Sequence, residues 1–319
     1  MSISKNKLLY HADRLAGDYR PITADVFITN YCNLKCDFCT YNRWELDENS
    51  TYMRFEDFKA YAERLLELGV KGIILTGGGE PTINKDFDKI TAWLEENKIH
   101  YGINTNGVVF KKIKPDYIKV SLDGYDKQSY IDIKGVDRFD EARNTIRQFA
   151  EWKKEHSPNT ALGVQKIVVD YEEIEKFYEA NKDLDFDYMV FRPMESTQGK
   201  FYADVSARSI FSSIRTIKRL QEKDNRVVMN YKWAKLHTTF DICEAHWSQI
   251  ALNERGEVIY CCHKPYEIVG HILDDDILQK YSEAKTNMSM CDVPCRLTAP
   301  NEFMRELRLC GNSGDANFI

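Results

Sequence analysis

Hydrophobic positions in the first two thirds of the chain alternate between two periods, and this pattern predicts repeated strand–helix units. Short runs of residues that favour strands precede longer segments with apolar residues at helical spacing. The predicted strands are Ala24–Thr29, Gly72–Thr76, His100–Thr105, Tyr117–Leu122, Leu162–Val169 and Tyr188–Arg192. The predicted helices are Phe55–Leu68, Phe87–Asn97, Phe139–Glu155 and Tyr171–Asn181. Six strands with right-handed crossovers predict an α/β fold, a parallel sheet curled into a full or partial TIM-like barrel.

The flanking segments differ from this repeat and suggest four parts. Residues 1–21 form a helical lead-in, 22–200 the barrel, and 201–240 a helical linker with an apolar stripe over Ser206–Glu222. Residues 241–319 hold a hairpin signal at Asn253–Gly256 and most of the nine cysteines. We therefore expect a small C-terminal domain that is closed by a helix.

Three cysteines follow the first predicted strand with C-x3-C-x2-C spacing: Cys32, Cys36 and Cys39. Three thiolates on one loop can hold three irons of a [4Fe–4S] cluster and leave the fourth iron open for a non-protein ligand. A structural zinc site is the alternative, but zinc usually takes four closed ligands, and no fourth Cys or His lies nearby in the sequence.

At this spacing the chain resembles the radical SAM enzymes, in which S-adenosylmethionine (SAM) binds the open iron. Phe38, just before the third cysteine, also fits that family. The resemblance covers nearly all of residues 22–195. It implies that Cys32, Cys36 and Cys39 carry the catalytic cluster and that active-site loops gather at the carboxyl ends of the strands.

A glycine-rich segment, Gly77-Gly78-Gly79-Glu80-Pro81, follows the second predicted strand. Glycines let a ligand approach the backbone, and Glu80 adds an anion. A phosphate-binding turn is the alternative, although a carboxylate there would repel phosphate. The family resemblance implies that Gly78, Gly79 and Glu80 bind the cationic amino group of SAM.

Further strand ends match the family. The resemblance implies that Asn104 and Asn106 lie near the ribose of SAM and that Ser121 and Asp123 belong to the next contact segment, although Asn-Gly and Asp-Gly are also ordinary turn formers. Arg192 ends the sixth strand and has three candidate partners: the SAM carboxylate, the substrate, or a salt bridge at the barrel rim. Lys134-Gly135 also matches the family pattern.

A second cysteine set lies in the tail and comprises Cys243, Cys261, Cys291 and Cys295. Four thiolates close the coordination of a cluster. The C-x12-G-x4-C spacing resembles the start of the SPASM/twitch extension, and the few cysteines favour the shorter twitch form with one auxiliary [4Fe–4S] cluster. A zinc ribbon is the alternative. Cys262 is either a substitute for Cys261 or a spare thiol, and we expect His246, His263 and His271 to be core or surface residues.

Composition excludes other classes of function. The 319 residues are 43% hydrophobic and 12% aromatic, which indicates a folded protein, and the net charge of −6 without a basic stripe argues against nucleic-acid binding. No signal sequence and no run of about 18 apolar residues is present, so we expect a cytoplasmic protein that does not bind membranes.

The resemblance implies reductive cleavage of SAM to a 5′-deoxyadenosyl radical that abstracts hydrogen from a substrate. The electron would come from a flavodoxin or ferredoxin. The auxiliary cluster would bind substrate or accept an electron, as in a dehydrogenation. Only 31 residues precede Cys32, too few for the leader-binding domain of many peptide modifiers. We therefore expect a small molecule of the sugar, cyclitol or nucleotide type.

Three alternatives remain open. The first is a maturase that modifies a ribosomal peptide by a cross-link, a thioether bond or epimerisation. The second is a redox-neutral epimerase, for which Cys262 and Cys310 are hypothetical hydrogen-atom donors. More simply, Cys310 is a buried thiol. The third is a non-catalytic protein with zinc in both cysteine sets, which leaves Gly78, Gly79 and Glu80 unexplained.

Overall fold

The structure is a computed structural model. It describes residues 7–17, 20–36, 38–39, 41, 51–194, 207–230, 233, 240–288, 291, 295 and 297–311, with backbone alone at 16–17, 207–208 and 308–311. Cys310, a hypothetical hydrogen-atom donor, therefore lies outside the described side chains.

Ten strands are present in the described part of the chain. They are β1 (Thr23–Phe27), β2 (Gly72–Thr76), β3 (Tyr101–Thr105), β4 (Tyr117–Ser121), β5 (Ala161–Val168), β6 (Tyr188–Pro193), β7 (Val227–Met229), β8 (Gln249–Leu252), β9 (Glu257–Ile259) and β10 (Ile268–His271). The helices are α1 (Ala12–Gly17), α2 (Phe55–Glu67), α3 (Phe87–Glu96), α4 (Lys127–Lys134), α5 (Phe139–His156), α6 (Glu172–Asn181), α7 (Ala207–Lys223), α8 (Ile277–Glu283) and α9 (Thr298–Gly311). Short 3-10 helices span Pro81–Ile83 and Ala245–Trp247.

The strands form one sheet in the order β10-β9-β8-β1-β2-β3-β4-β5-β6-β7. Strands β1 to β7 pair in parallel, β8 also runs parallel to β1, and β9 and β10 are antiparallel. Apolar stripes on the helices bury against this sheet, as with Phe58, Ala62 and Leu65 on α2. The predicted α/β fold with a partial TIM-like barrel is confirmed.

Sequence patterns located β1 to β6 but missed several other elements, among them β7, β10, α4 and α8. The three-residue strand β7 is too short for an alternating pattern to be recognised. Helix α4 was also missed; it is fixed by a capping box between Asp126 and Ser129 and by Gly135 at φ +72°.

The C-terminal region docks directly on the barrel. Strand β8 hydrogen-bonds along β1, so the C-terminal cysteine region shares the barrel's sheet. At the β8–β9 hairpin, Glu254 accepts hydrogen bonds from Asn30 and Thr51 at 3.3 and 3.1 Å. The predicted boundaries at residues 21, 200 and 240 stay predictions. Among the described helices, none has the length and apolar character needed to cross a membrane.

Candidate active site

The loop with Cys32, Cys36 and Cys39 begins after β1 at the carboxyl edge of the sheet. The Lys35 amide donates to the carbonyl of Lys134 at 2.9 Å, and the Cys39 amide donates to the carbonyl of Cys36 at 3.0 Å. The loop is therefore braced from the end of α4 and by its own turn.

The three thiols lie close enough to influence one another. Burial raises the pKa of Cys32 to about 12, and repulsion from Cys36 and Cys39 acts in the same direction. Burial also raises the pKa of Cys36 to about 11, whereas the nearby ammonium of Lys134 lowers it. Such thiols lose their protons only when a positively charged partner such as iron binds them.

The glycine-rich segment after β2 lies directly against the start of the cysteine loop. The Gly79 amide donates to the carbonyl of Thr29 at 2.9 Å, and the Glu80 amide donates to the carbonyl of Tyr31 at 2.8 Å. A Cβ at Gly79 would stand 1.9 Å from the Tyr31 oxygen, whereas one at Gly78 would meet its nearest atoms at 3.7 Å. Gly79 is thus required for backbone packing, and Gly78 has room beside it.

The Glu80 side chain is buried at 2% exposure and is held by protein donors. Its oxygens accept from the Thr82 amide and hydroxyl at 3.1 and 2.7 Å, the Thr105 hydroxyl at 2.6 Å, and the Asn106 amide at 2.7 Å. Burial raises the pKa of this carboxyl, while these hydrogen bonds lower it. Glu80 therefore joins the strand ends of β2 and β3, and its direct contact with SAM stays a prediction.

Asn106 and Asp123 also have partners within the protein. The side-chain amide of Asn106 donates from Nδ2 to Asn33 Oδ1 at 2.7 Å, and Nδ2 lies 3.9 Å from Cys32 Sγ. Asn106 therefore supports the cysteine loop. Asp123 is fully buried and pairs with Lys134 at 2.5 Å. The predicted SAM contacts of Asn106 and Asp123 stay predictions.

A cavity of about 450 Å³ opens at the carboxyl edge of the strands. It is lined by Asp25, Phe27, Phe38, Cys39, Tyr41, Thr76, Gly77, Asn104, Lys119, Ser121, Gln165, Ile167, Arg192, Asn230, Cys262 and His263. We call it the barrel cavity. It joins the third cysteine of the loop to the predicted SAM contacts Phe38, Asn104, Ser121 and Arg192.

Polar side chains cross the wall of the barrel cavity from strand to strand. Arg192 donates to Gln165 Oε1 at 3.4 Å, and Gln165 donates to Ser121 Oγ at 3.4 Å. Asn104 donates to Thr76 Oγ1 at 3.4 Å, while its Oδ1 is buried and has no hydrogen-bond partner within the described residues. An orphaned buried acceptor in a cavity fits a site that a polar ligand completes.

Sequence reasoning missed several polar residues in this wall, among them Asp25, Lys119 and Gln165 on the strands. Each of these lies two residues before another residue that lines the cavity, which is Phe27, Ser121 and Ile167 in turn. A polar residue at that position is the signal that would have found them, since alternate residues of a strand face the same side.

The four tail cysteines come together in a second cavity, as predicted from their number and spacing. Cys243, Cys261, Cys291 and Cys295 all line it, together with His263 and Lys264. We call it the thiol cavity. Burial raises the pKa of Cys243 to about 12 and that of Cys261 well above its ordinary value. Four convergent thiols fit an iron–sulfur cluster with closed coordination.

The two cavities share a wall. Cys262 lines the barrel cavity, Cys261 lines the thiol cavity, and His263 lines both. The wall is braced from the cysteine loop, because the Tyr41 hydroxyl donates to the carbonyl of Cys262 at 2.7 Å. His246 is a core residue, as expected, with Nδ1 at 3.2 Å from the Tyr260 hydroxyl.

Within the described residues, no three His, Cys, Asp or Glu side chains converge closely enough to hold a single metal ion. Thiolates that bind a [4Fe–4S] cluster are spread around a cube of iron and sulfide.

The fold and the loop cysteines define a class of protein. Residues 26–180, which run from β1 into α6, match the model of the Radical SAM superfamily. Residues 26–180 therefore belong to the radical SAM superfamily, and the protein is an enzyme.

Among curated proteins, the chain is similar to GTP 3′,8-cyclases. The probable GTP 3′,8-cyclase of Pyrococcus horikoshii is 33% identical over 137 residues, which cover 40% of this chain and 43% of that protein. The GTP 3′,8-cyclase of Pasteurella multocida is 26% identical over 152 residues, covering 44% and 42%. The matched region spans less than half the length of these relatives.

Among solved structures, the fold is similar to two proteins that have also been solved with a bound peptide. Streptococcus suis SuiB superposes with a TM-score of 0.65 at 16% identity, covering 87% of this chain and 69% of SuiB. Native anSMEcpe with bound AdoMet superposes with a TM-score of 0.65 at 17% identity, covering 94% and 100%. These likenesses show the fold.

Proposed function

We propose that the chain is a radical SAM oxidoreductase that oxidises a small polar molecule. Cys32, Cys36 and Cys39 hold the SAM-binding cluster, and the four cysteines of the thiol cavity hold an auxiliary cluster. When bound, the clusters and SAM supply a 5′-deoxyadenosyl radical that takes a hydrogen atom from the substrate and an acceptor for the remaining electron. The substrate thereby loses two electrons in all, and a proton leaves to solvent.

The observation that carries this proposal is the wall shared by the two cavities. Cys261 and Cys262 are neighbours, and His263 lines both cavities. A substrate in the barrel cavity is therefore one short stretch of chain away from the auxiliary thiols. Because all four thiols face the thiol cavity, they can close the coordination of the auxiliary cluster, which favours electron acceptance over direct substrate binding.

The lining of the barrel cavity supports a substrate with an acidic group. Lys119 and Arg192 supply cations, Asp25 supplies a carboxylate, and Gln165 and Asn230 supply amides. This set suits phosphate or carboxylate together with hydroxyl groups. Of the sugar, cyclitol and nucleotide types, it favours a nucleotide or a sugar phosphate, and the local similarity to GTP 3′,8-cyclases agrees with that choice.

A ribosomal peptide is the alternative substrate. Its support is the fold likeness to SuiB, which has been solved bound to the precursor peptide SuiA, with a TM-score of 0.63. Peptide and nucleotide candidates are distinguished by which of them increases the production of 5′-deoxyadenosine.

A redox-neutral reaction is a second candidate, because Cys262 lines the barrel cavity. There the S–H bond breaks and a C–H bond forms on the substrate radical, and the sulfur radical takes one electron from the external donor and one proton from solvent. Turnover in D₂O separates the candidates. Thiol donation places deuterium on carbon in the product, whereas oxidation leaves that carbon with one hydrogen fewer.

The proposal is tested by anaerobic reconstitution of the protein with iron and sulfide. SAM is then added, with dithionite as the reductant in place of flavodoxin or ferredoxin. We expect about eight irons per chain and production of 5′-deoxyadenosine. Zinc in both cysteine sets with no 5′-deoxyadenosine would overturn the proposal. About four irons, all lost in the Cys32→Ala variant, would remove the auxiliary cluster and with it the oxidative role.

A further inference from the structure

A buried ion pair lies beneath the cysteine loop. Lys134 Nζ is 2.5 Å from Asp123 Oδ2, and the two side chains are 3% and 0% exposed. Burying two charges carries a large desolvation cost, so a buried pair is weak evidence for a role in stability alone.

Asp123 is held rigidly in this pair. Its backbone has φ +59°, an unusual value for a residue with a side chain. Its Oδ1 accepts from the Ile167 amide at 2.5 Å, and its own amide donates to the carbonyl of Gln165 at 3.2 Å. The carboxylate is thus fixed between the ends of β4 and β5, and the ammonium that it holds is fixed with it.

The ammonium of Lys134 lies on the side of the cysteine loop. It stands 5.7 Å from the centre of the Phe38 ring, and the Lys134 carbonyl accepts from the Lys35 amide at 2.9 Å. Gly135 packs so closely that an added Cβ would be 2.6 Å from the Lys35 oxygen. The carboxyl end of α4 is therefore held at a fixed distance from the cysteine loop.

The positive end of the pair lies on the side of the cysteine loop. Lys134 Nζ lies over the Phe38 ring, whereas Asp123 Oδ1 accepts from the Ile167 amide of β5. The carboxylate keeps the ammonium charged, because a buried ion pair loses its mutual attraction if either member becomes neutral.

We infer that Lys134, fixed by Asp123, is a positioning residue that raises the reduction potential of the cluster held by Cys32, Cys36 and Cys39. Reduction adds one negative charge to the cluster, and a nearby cation in a buried site stabilises that charge. Lys134 thus makes it easier for the external donor to deliver the electron. The inference rests on the proposed assignment of the three cysteines to the SAM-binding cluster.

The test is an anaerobic redox titration of the reconstituted protein followed by EPR, in which the SAM-binding cluster is identified by its spectral change on adding SAM. In Lys134→Met we expect the reduction equilibrium constant to fall at least tenfold, about 59 mV for a one-electron couple. Lys134→Arg keeps the cation, so its reduction equilibrium constant should stay within about twofold of that of the parent protein.

Lys134→Met leaves Asp123 buried without its partner, so a double variant, Lys134→Met with Asp123→Asn, keeps the test decisive. The same negative shift, but smaller, is expected there, because both charges are removed and the cation is the member of the pair that lies beside the cysteine loop. Wild-type iron content and 5′-deoxyadenosine test the proposed function separately from this shift.

A matched control exists on β5 and α6. Lys166 Nζ is 2.8 Å from Glu173 Oε2, and its side chain is 0% exposed. Lys166→Met with Glu173→Gln should leave the potential unchanged. Three results would overturn the inference. The first is an equal shift in this control, and the second is an unchanged potential in both Lys134→Met and the double variant. The third is loss of the cluster from both of those variants while the control keeps it.

Discussion

Cys261 and Cys262 are consecutive residues that line two different cavities. They follow Tyr260, the residue after β9. Strand β9 is fixed against the barrel because it pairs with β8, and β8 pairs with β1. The two neighbouring cysteines therefore lie in the walls of different cavities. The spacing of the cysteines along the sequence could not predict which cysteine lines which cavity. The structure favours Cys261 over Cys262 as the fourth thiol of the second cysteine set.

Substitution of these two cysteines should therefore have opposite effects on iron content. Cys261→Ala removes one of four thiols in the thiol cavity, and we expect it to lose about four of about eight irons. Cys262→Ala should keep all of them. Iron and sulfide assays after anaerobic reconstitution measure both variants. Equal iron loss in the two variants, or loss only in Cys262→Ala, would contradict the assignment.

Adjacent glycines provide a second test, with one serving as the control for the other. Gly79→Ala places a Cβ 1.9 Å from the Tyr31 oxygen, so the backbone must move, and we expect a loss of about 3 kcal/mol in the free energy of unfolding. Gly78→Ala meets its nearest atoms at 3.7 Å and should cost less than about 0.5 kcal/mol. Urea unfolding of the iron-free protein measures both. Equal costs would show that the segment is not packed as described.

The repeated strands of the barrel could be predicted because each is a short apolar run bounded by turn residues. The attachment of β8 to β1 could not, since pairing between residues about 225 positions apart leaves no mark in local periodicity. Helix α4 was missed for a related reason: its buried face includes Ser129 and Lys134, whose polar side chains hide the apolar pattern.

The candidate site was predicted best where a motif fixes the chemistry and least well where burial decides it. The convergence of Cys243, Cys261, Cys291 and Cys295 followed from their number and spacing. The hydrogen bonds of Glu80 to Thr82, Thr105 and Asn106 could not be predicted, because Thr105 and Asn106 lie at the end of another strand, more than 20 residues away in the sequence.

Replacement of Glu80 should disturb the cysteine loop through Asn106. Glu80→Gln puts an amide where an oxygen accepts from protein donors, and we expect a loss of about 1–3 kcal/mol in the free energy of unfolding. Because Asn106 also contacts Asn33 and lies beside Cys32, iron bound by the loop should be retained less well. Urea unfolding and the rate of iron loss to a chelator measure the two effects.

Glu95 offers a matched control for that variant. It accepts from the Tyr101 hydroxyl at 2.6 Å and from the Lys114 amide at 2.8 Å, beside the amino end of β3. Glu95→Gln should lower stability without changing iron retention. Faster iron loss in Glu95→Gln, or none in Glu80→Gln, would show that the carboxylate does not act through the loop.

Lys264 should be required for the auxiliary cluster alone. Its ammonium contacts Glu267 at 3.2 Å, the Thr286 hydroxyl and the Asn287 carbonyl, and so joins the segment after Cys261 to the segment before Cys291. Lys264→Met breaks that link, and we expect about four irons to be lost while those of the SAM-binding cluster remain.

Lys153 supplies the control for Lys264, because its side chain is similarly buried, at 13% against 8%, and joins the Thr160 carbonyl to Asp187 on the barrel. Lys153→Met should keep all the iron while losing a comparable set of contacts. Production of 5′-deoxyadenosine without substrate should persist in both variants, since the cysteine loop is untouched. Loss of that activity in Lys264→Met would mean that the two cysteine sets depend on each other, because the wall between the cavities holds both in place.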